Sequence, residues 1–382
     1  MLKDNFRVAQ IGSRGIPGHR GGVERVIESV APRLVQLGHK VIVYCASWSE
    51  SREPTYRGVD LRYAFSIRSK YLDTFVRSLV ATLREIFGGS DIVHFHSSGS
   101  APFALLSRLL GKKVVVTVHG LDWQRRKWSW FGAWFLQLGE RAAVRVPHRT
   151  VVVGMDLKRV LDARYNADVT YIPNGVEERQ QRAADKIKRF GVHGRDFILY
   201  LARLVPEKQC HVLIEAFKRL PNPKGLKLII AGPTWHSEDY VASLRTLAAD
   251  DPSIVFTGEV DEQTLEELYS NCYSYVLPSE VEGMSLSLLD AMAFSACIVT
   301  SDIAANADVI GNAGLTFVTG DATSLAAKLA QIIDNPLQAQ AFRVAAKARM
   351  SSEFHWDRVA ERWEALYLQM LCVPNADLAE HQ

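Results

Sequence analysis

Paired cysteines are missing from this chain. Its five cysteines, Cys45, Cys210, Cys272, Cys297 and Cys372, are odd in number and scattered, with no C-x-x-C. That pattern argues against a disulfide framework or a zinc site and fits a reducing compartment. Asp-x-Asp pairs are also missing, and no His/Cys cluster has metal-ligand spacing, so nothing in the sequence requires a metal. No apolar run is long enough to span a bilayer. The opening Met1-Leu2-Lys3-Asp4-Asn5 leads straight into a strand-like run with no signal peptide, so a cytoplasmic protein is expected. Charge of one sign is lacking too. Lys and Arg number 45 against 42 Asp and Glu, a net charge of +3, which is too small to argue for a nucleic-acid partner.

What is present is the composition of a packed globular protein: 382 residues, 48% hydrophobic and 23% charged, enough for two domains or one large one. Short β-rich runs alternate with helical patterns throughout. In the first half they cover residues 6–12, 41–45, 92–96, 114–119, 150–154 and 169–173; in the second, 197–201, 226–232, 254–258, 273–277, 298–301 and 315–318. Most are continuously apolar, as strands covered on both faces should be. Strand–helix alternation at this spacing predicts parallel sheets of βαβ units, and two separate sets predict two Rossmann-like domains. The interval 173–196 is least strand-like and holds the polar run Glu177-Glu178-Arg179-Gln180-Gln181-Arg182, a helix start or a linker; the hinge is placed there. Residues 356–371 form a helical pattern with Val359, Trp363, Leu366 and Met370 on one side.

Ligands of open parallel sheets bind beyond the carboxyl ends of the strands, so the residues that follow the strands carry the functional reading. The most informative stretch is 279–293. Pro278 stops the run 273–277, a helix follows with Ser285 as its N-cap, Glu282 lies in the turn, and Asp290 comes eight residues later. Unpaired amides at a helix start attract phosphate, and acids accept from hydroxyls, a combination that suits a sugar linked to a diphosphate. An ordinary βα junction with solvated acids is the plainer alternative. After the run 197–201 comes Ala202-Arg203-Leu204-Val205-Pro206-Glu207-Lys208, with two cations suited to a phosphate, or to pairing with Glu207 in a solvated loop. The first run is followed by the glycine-rich Gly12-Ser13-Arg14-Gly15-Ile16-Pro17-Gly18-His19-Arg20-Gly21-Gly22, which opens a helix over 23–37. It is neither G-x-G-x-x-G nor a Walker loop, and no acid follows the second run, so a nicotinamide site is not expected. His119 ends the run 114–119 and is followed by glycine; His94 and His96 at the end of 92–96 are weaker candidates.

Together these residues resemble the retaining family-4 glycosyltransferases of the GT-B fold, over nearly the whole chain. The family's two acids separated by seven residues, in a context like E-G-x-G-L-x-x-L-E-A-M-A, are matched by Glu282-Gly283-Met284-Ser285-Leu286-Ser287-Leu288-Leu289-Asp290-Ala291-Met292-Ala293. Its G-R-L-x-x-x-K pattern is matched from Ala202 to Lys208, with alanine for glycine. The loop ending in Gly21-Gly22, Val118-His119-Gly120 and Ile172-Pro173-Asn174-Gly175-Val176 also match, and the opening Gly-Ser-Arg-Gly-Ile-Pro looks like transferases of bacterial surface polysaccharides. The resemblance implies an α/β, GT-B architecture: two Rossmann-like domains with parallel sheets facing a central cleft. Residues 1–180 would form the acceptor domain, completed by the C-terminal helix 356–374, and 181–355 the nucleotide-sugar domain. It also implies that Arg203 and Lys208 bind the donor diphosphate, Glu282 contacts the donor sugar, and the amides of Gly283, Met284, Ser285 and Leu286 lie near sugar and phosphate. Asp290 would hold the ribose, Gly21 and Gly22 would cap the diphosphate, and His119 would approach the transferred sugar. Two departures stand out. Asp290 is one methylene shorter than the usual glutamate, and Ser285 adds a side chain where the family has glycine.

The expected activity is metal-independent, cofactor-free retaining transfer from a nucleotide-diphosphate sugar to a saccharide or lipid-linked saccharide, in cell-surface polysaccharide synthesis. A nucleotide-sugar 2-epimerase or phosphorylase of the same fold, and a non-catalytic nucleotide-sugar-binding subunit, are the alternatives. The segment 125–136 joins Arg125, Arg126 and Lys127 to Trp128, Trp130, Phe131, Trp134 and Phe135. It reads as a core helix with a basic end, or as a peripheral contact with the inner face of the cell membrane.

Overall fold

In the computed structural model, which describes residues 5–18, 21–49, 52–69, 72–121, 123, 130–221, 225–234, 237–249 and 251–372, the chain divides into two compact units. One comprises residues 1–174 with 356–382, the other residues 175–355.

The first unit runs β1 (Arg7–Ile11), α1 (Gly22–Gln36), β2 (Lys40–Ala46), β3 (Thr55–Tyr56), β4 (Val59–Ala64), α2 (Asp73–Ile86), β5 (Ile92–His96), α3 (Ala104–Leu109), β6 (Lys113–Val118), α4 (Trp130–Arg145), β7 (Arg149–Val152), α5 (Met155–Tyr165) and β8 (Thr170–Tyr171). Its eight-stranded sheet has the order β3-β4-β2-β1-β5-β6-β7-β8. The β3–β4 hairpin is antiparallel and the other pairs are parallel. Valines and isoleucines of the central strands are fully buried, because helices shield both faces of such a sheet.

The second unit runs β9 (Phe197–Leu201), α6 (Cys210–Lys218), β10 (Lys227–Ala231), α7 (Glu238–Ala248), β11 (Ile254–Gly258), α8 (Glu262–Asn271), β12 (Ser274–Leu277), α9 (Leu286–Ala293), β13 (Ile298–Ser301), α10 (Ala304–Ile310), β14 (Leu315–Phe317), α11 (Ala322–Asp334) and α12 (Pro336–Glu353). Its six strands are all parallel, in the order β11-β10-β9-β12-β13-β14. Each sheet therefore has the mostly parallel, helix-covered form that the strand–helix alternation predicts.

Helix α13 (Trp356–Cys372) packs on the first unit. Val359, Trp363, Leu366 and Met370 are buried as their spacing predicts, together with Tyr367. Polar anchors accompany them: Arg33 Nε to Asp357 at 2.7 Å and His39 Nε2 to Glu364 at 2.7 Å.

Two features differ from the sequence reading. The apolar runs do not predict the β3–β4 hairpin, since neither Thr55-Tyr56 nor Val59-Asp60-Leu61-Arg62-Tyr63-Ala64 is such a run. It lies near the sheet edge, where Asp60 is exposed while Val59 and Leu61 are buried, and a strand there needs only one apolar face. The polar run 177–182 is neither helix nor free linker. It lies along α8, where Arg179 and Arg182 both pair with Glu266, at 3.1 and 2.8 Å.

Gly232, just beyond β10, has φ of +145°, and a Cβ there would collide with the carbonyl oxygen of Ala202. Gly232→Ala should therefore cost about 2–4 kcal/mol, from backbone strain plus overpacking. Urea denaturation would show it; an unchanged midpoint would mean that the Ala202 strand exit is not held as described.

Candidate active site

The segments after β9 and β12 carry the candidate site residues of the second unit. Because these two strands are hydrogen-bonded neighbours, with Ile198 opposite Ser274 and Leu199 opposite Tyr275, the loops at their carboxyl ends emerge side by side. The first loop is anchored by buried Leu204, whose N–H donates to the Pro233 carbonyl at 3.1 Å. A short 3-10 turn, Pro206–Lys208, follows, with Pro206 at its first position, where no donor is needed. It ends at Gln209, in the left-handed region at φ 49°.

Three contacts clamp the loops together. The Glu280 N–H donates to the Glu207 carbonyl at 3.0 Å. Gln209 Nε2 donates to Glu280 Oε2 at 2.9 Å. Lys208 Nζ makes a close ion pair with Glu282 Oε1. Their side chains are only 15% and 9% exposed, so each charge is largely removed from water and depends on the other. Arg203, in the same loop, is exposed.

Helix α9 begins as its sequence predicts. Ser285 is the N-cap, and its Oγ accepts from the Leu288 N–H at 3.4 Å. The side chain that replaces the family's glycine is thus turned back onto the helix, within 3.0 Å of Ser287 Oγ. The N–H groups of the first helical turn lack intrahelical acceptors, and the macrodipole is positive there.

Beneath this mouth lie two buried tyrosines, Tyr200 of β9 and Tyr275 of β12, that sequence reasoning missed. Tyr275 Oη donates to Ser287 Oγ at 2.9 Å, and Tyr200 Oη donates to the Arg203 carbonyl at 3.2 Å. Burial pushes the Tyr275 phenol far above its ordinary range; the Ser287 bond offsets part of this, and the carboxylates of Glu282 and Asp290 add to it. Burial likewise raises Tyr200, and Glu282 contributes. Ser287 links the Tyr275 hydroxyl to Ser285, and Asp290 lies on the same helix α9. Gly283, Met284 and Leu286 belong to the same loop and helix start. Tyr275 stood inside an apolar run, and only its burial distinguishes it.

Gly21, Gly22 and His119 belong to the first unit. Gly21 is the N-cap of α1, in extended conformation, and Gly22 opens the helix. Two acids of α1 brace the loop before them: Glu24 accepts from the Arg14 N–H at 2.9 Å and Glu28 from the Gly18 N–H at 3.0 Å. His19 and Arg20 lie outside the described residues. His119 follows β6, with its Nε2 3.1 Å from His96 Nδ1. His94 and His96 are buried. Among the described residues no cluster of His, Cys, Asp and Glu is arranged to hold a metal.

Comparison with known proteins gives this geometry its family. The profile described as glycosyl transferases group 1 matches residues 182–349, and that of glycosyltransferase family 4 matches residues 20–180. The chain is 29% identical to a glycogen synthase of Mycobacterium tuberculosis over 91% of each chain. It is 22% identical to the GDP-mannose-dependent alpha-(1-6)-phosphatidylinositol monomannoside mannosyltransferase of Mycolicibacterium smegmatis, over 89% of this chain and 93% of that one. Its fold is similar to sucrose-phosphate synthase from Thermosynechococcus elongatus, at TM-score 0.83 and 18% identity over 96% and 99% of the two chains. It is also similar to Anabaena HepE in complex with UDP-glucose, at TM-score 0.77 and 14% identity over 95% and 99%. The chain belongs to the family-4 glycosyltransferases and has the GT-B fold.

The hydroxyl row below the site makes a specific prediction. Ser287→Ala deprives buried Tyr275 of its close acceptor and should cost about 1–3 kcal/mol. Tyr275→Phe should cost less, because Ser287 keeps Ser285 as a partner. Guanidinium denaturation of both variants checks this; a larger loss in Tyr275→Phe would reverse the assigned dependence.

Proposed function

We propose that this family-4 glycosyltransferase moves a sugar from a nucleotide-diphosphate donor to a saccharide or lipid-linked saccharide with retention of configuration, without a metal, in the synthesis of a cell-surface polysaccharide. The observation that carries the reading is the Lys208–Glu282 pair at the open start of α9, with exposed Arg203 beside it and Asp290 on the same helix. A diphosphate matches the two cations and the helix-start amides; Glu282 and Asp290 accept from sugar and ribose hydroxyls. The names of the relatives agree with a nucleotide-sugar donor, GDP-mannose in one case and UDP-glucose in another.

In this mechanism the bond from the sugar C1 to the leaving phosphate oxygen breaks, and a bond from C1 to the acceptor hydroxyl oxygen forms on the same face. The acceptor proton passes to a leaving phosphate oxygen. Charge grows on the diphosphate as the bond breaks, so fixed cations and oriented amides stabilise the transition state more than the ground state. Lys208 is already oriented by Glu282 and needs little reorganisation to share its charge with the diphosphate. Gly21, Gly22 and His119 are assigned to the donor as well. A nucleotide-sugar 2-epimerase or a non-catalytic binder is not favoured by the relatives, which are named as synthases and transferases.

Peripheral contact with an anionic membrane face is the second part of the reading. Trp130, Trp134 and Leu138 stand at successive turns of α4 and are 83%, 50% and 44% exposed. Arg141 and Arg145 follow, and with Trp134 and Arg164 they line a surface depression of about 430 Å³. Basic residues beside exposed tryptophan are the pattern of a helix that rests in a lipid interface. Residues 124–129, which include the three cations of this segment, lie outside the described residues.

Thermal-shift measurements against UDP-, GDP-, dTDP- and ADP-sugars should show one donor class raising the melting temperature. With that donor, Lys208→Ala should lower turnover by about two to three orders of magnitude while circular dichroism stays native. Near-normal turnover would remove Lys208 from the site. The full chain should also sediment with phosphatidylglycerol vesicles at low salt, and Trp134→Ala with Arg141→Glu should weaken this. Absence of sedimentation would end the membrane reading.

A further inference from the structure

A continuous chain of buried polar side chains runs inward from His119. Gln10 of β1 is in register with His94 of β5, and His96 of β5 with Thr117 of β6. In parallel strands such partners share a sheet face, and residues two apart do too, so Gln10, His94, His96, Thr117 and His119 face the same way. Tyr367 of α13 packs on that face. Gln10, His94, His96, Thr117 and Tyr367 are all buried.

The contacts form a single path. His119 Nε2 lies 3.1 Å from His96 Nδ1, and His96 Nε2 lies 2.6 Å from Gln10 Oε1. Gln10 Nε2 donates to Tyr367 Oη at 3.3 Å, Tyr367 Oη lies 2.7 Å from His94 Nδ1, and His94 Nε2 lies 2.6 Å from Thr117 Oγ1. Burial holds both His94 and His96 well below the ordinary imidazole range, and neighbouring histidines add to it. Each ring is therefore neutral and carries one N–H. One assignment then orders the whole path. Gln10 Oε1 is an acceptor only, so His96 must donate to it from Nε2. His96 Nδ1 is then a lone pair, and His119 must donate to it from Nε2. Tyr367 accepts from Gln10 and donates to His94, which donates to Thr117. Rotating the Gln10 amide by half a turn would reverse every bond, so this one side chain sets the polarity.

We propose that Gln10, His96 and Tyr367 are positioning residues for His119. Through this chain they hold its ring in one plane and keep a proton on Nε2, which fixes the orientation in which the ring meets the transferred sugar. The proposal rests on the reading that His119 contacts that sugar. None of the three positioning residues touches substrate; each acts through the next hydrogen bond. The route passes through Tyr367 of α13, so the last helix of the chain contributes to the state of a side chain at a strand end.

Ring ¹⁵N spectra of the full-length protein labelled in histidine, with His119→Gln to assign the signal, test the first part without any substrate. The expected wild-type signature for His119 is a ring that carries a proton on Nε2. Gln10→Leu, and independently the milder Tyr367→Phe, should shift it toward a mixture of tautomers. A His119 ring in the wild type that carries its proton on Nδ1 and none on Nε2, or an unaltered ring in both variants, would overturn the proposal. The kinetic arm follows nucleoside diphosphate release from UDP-glucose and GDP-mannose. Tyr367→Phe should lower kcat about fivefold with KM within about twofold, and have no further effect in a His119→Ala background. An equal loss in that background would show a merely structural role. If neither nucleotide sugar is turned over, the choice of donor or the transferase reading has failed, and the ring spectra decide the positioning claim alone.

Discussion

The hydrogen-bonded pairing of β9 with β12 is the constraint on which the candidate site depends. These strands are far apart in sequence but adjacent in the sheet. Their neighbouring carboxyl ends force two loops into contact, and the Lys208–Glu282 pair, the Gln209–Glu280 bond and the Glu280–Glu207 backbone bond all follow from it. Charges this far removed from water persist only when paired. The candidate site is thus held by contacts among the groups proposed to meet the donor.

The hydroxyls under α9 show how one substitution can be absorbed. Ser285 stands where the family has glycine, and its side chain caps the helix and joins Ser287 and Tyr275 in a row. The Ser285 hydroxyl is thus engaged by its own helix. Asp290 remains the residue by which this chain differs from the pattern in reach, since a carboxylate one methylene shorter sits further from whatever it contacts.

In the first unit a second constraint operates, the two-residue period of strands. It places Gln10, His94, His96, Thr117 and His119 on one face, under Tyr367 of the final helix. A polar path buried among valines is tolerable only when every member is satisfied. Here the bonds that satisfy the members also give the path a direction.

Continuous apolar runs identified almost every strand, because strands buried on both faces leave that mark; Ile92–His96, Phe197–Leu201, Ile254–Gly258 and Ile298–Ser301 begin and end where the runs do. Capping chemistry located the start of α9 at Ser285, since an N-cap is a local requirement. The motif around Glu282 and the Arg203–Lys208 turn were legible for the same reason: each lies within a short stretch of chain. The β3–β4 hairpin was not legible, because strands at and beside the sheet edge need only one apolar face. Nor were the partners of Glu282, the Tyr275–Ser287 bond, or the path from His119 through Tyr367 to Thr117, which joins residues 10, 94, 96, 117, 119 and 367. By itself the sequence determined the family and the alternation of strands and helices, and it singled out the acids and cations of the candidate site. Only the tertiary structure decided which of them meet, because contacts between distant residues follow from strand order and register, which no local pattern encodes.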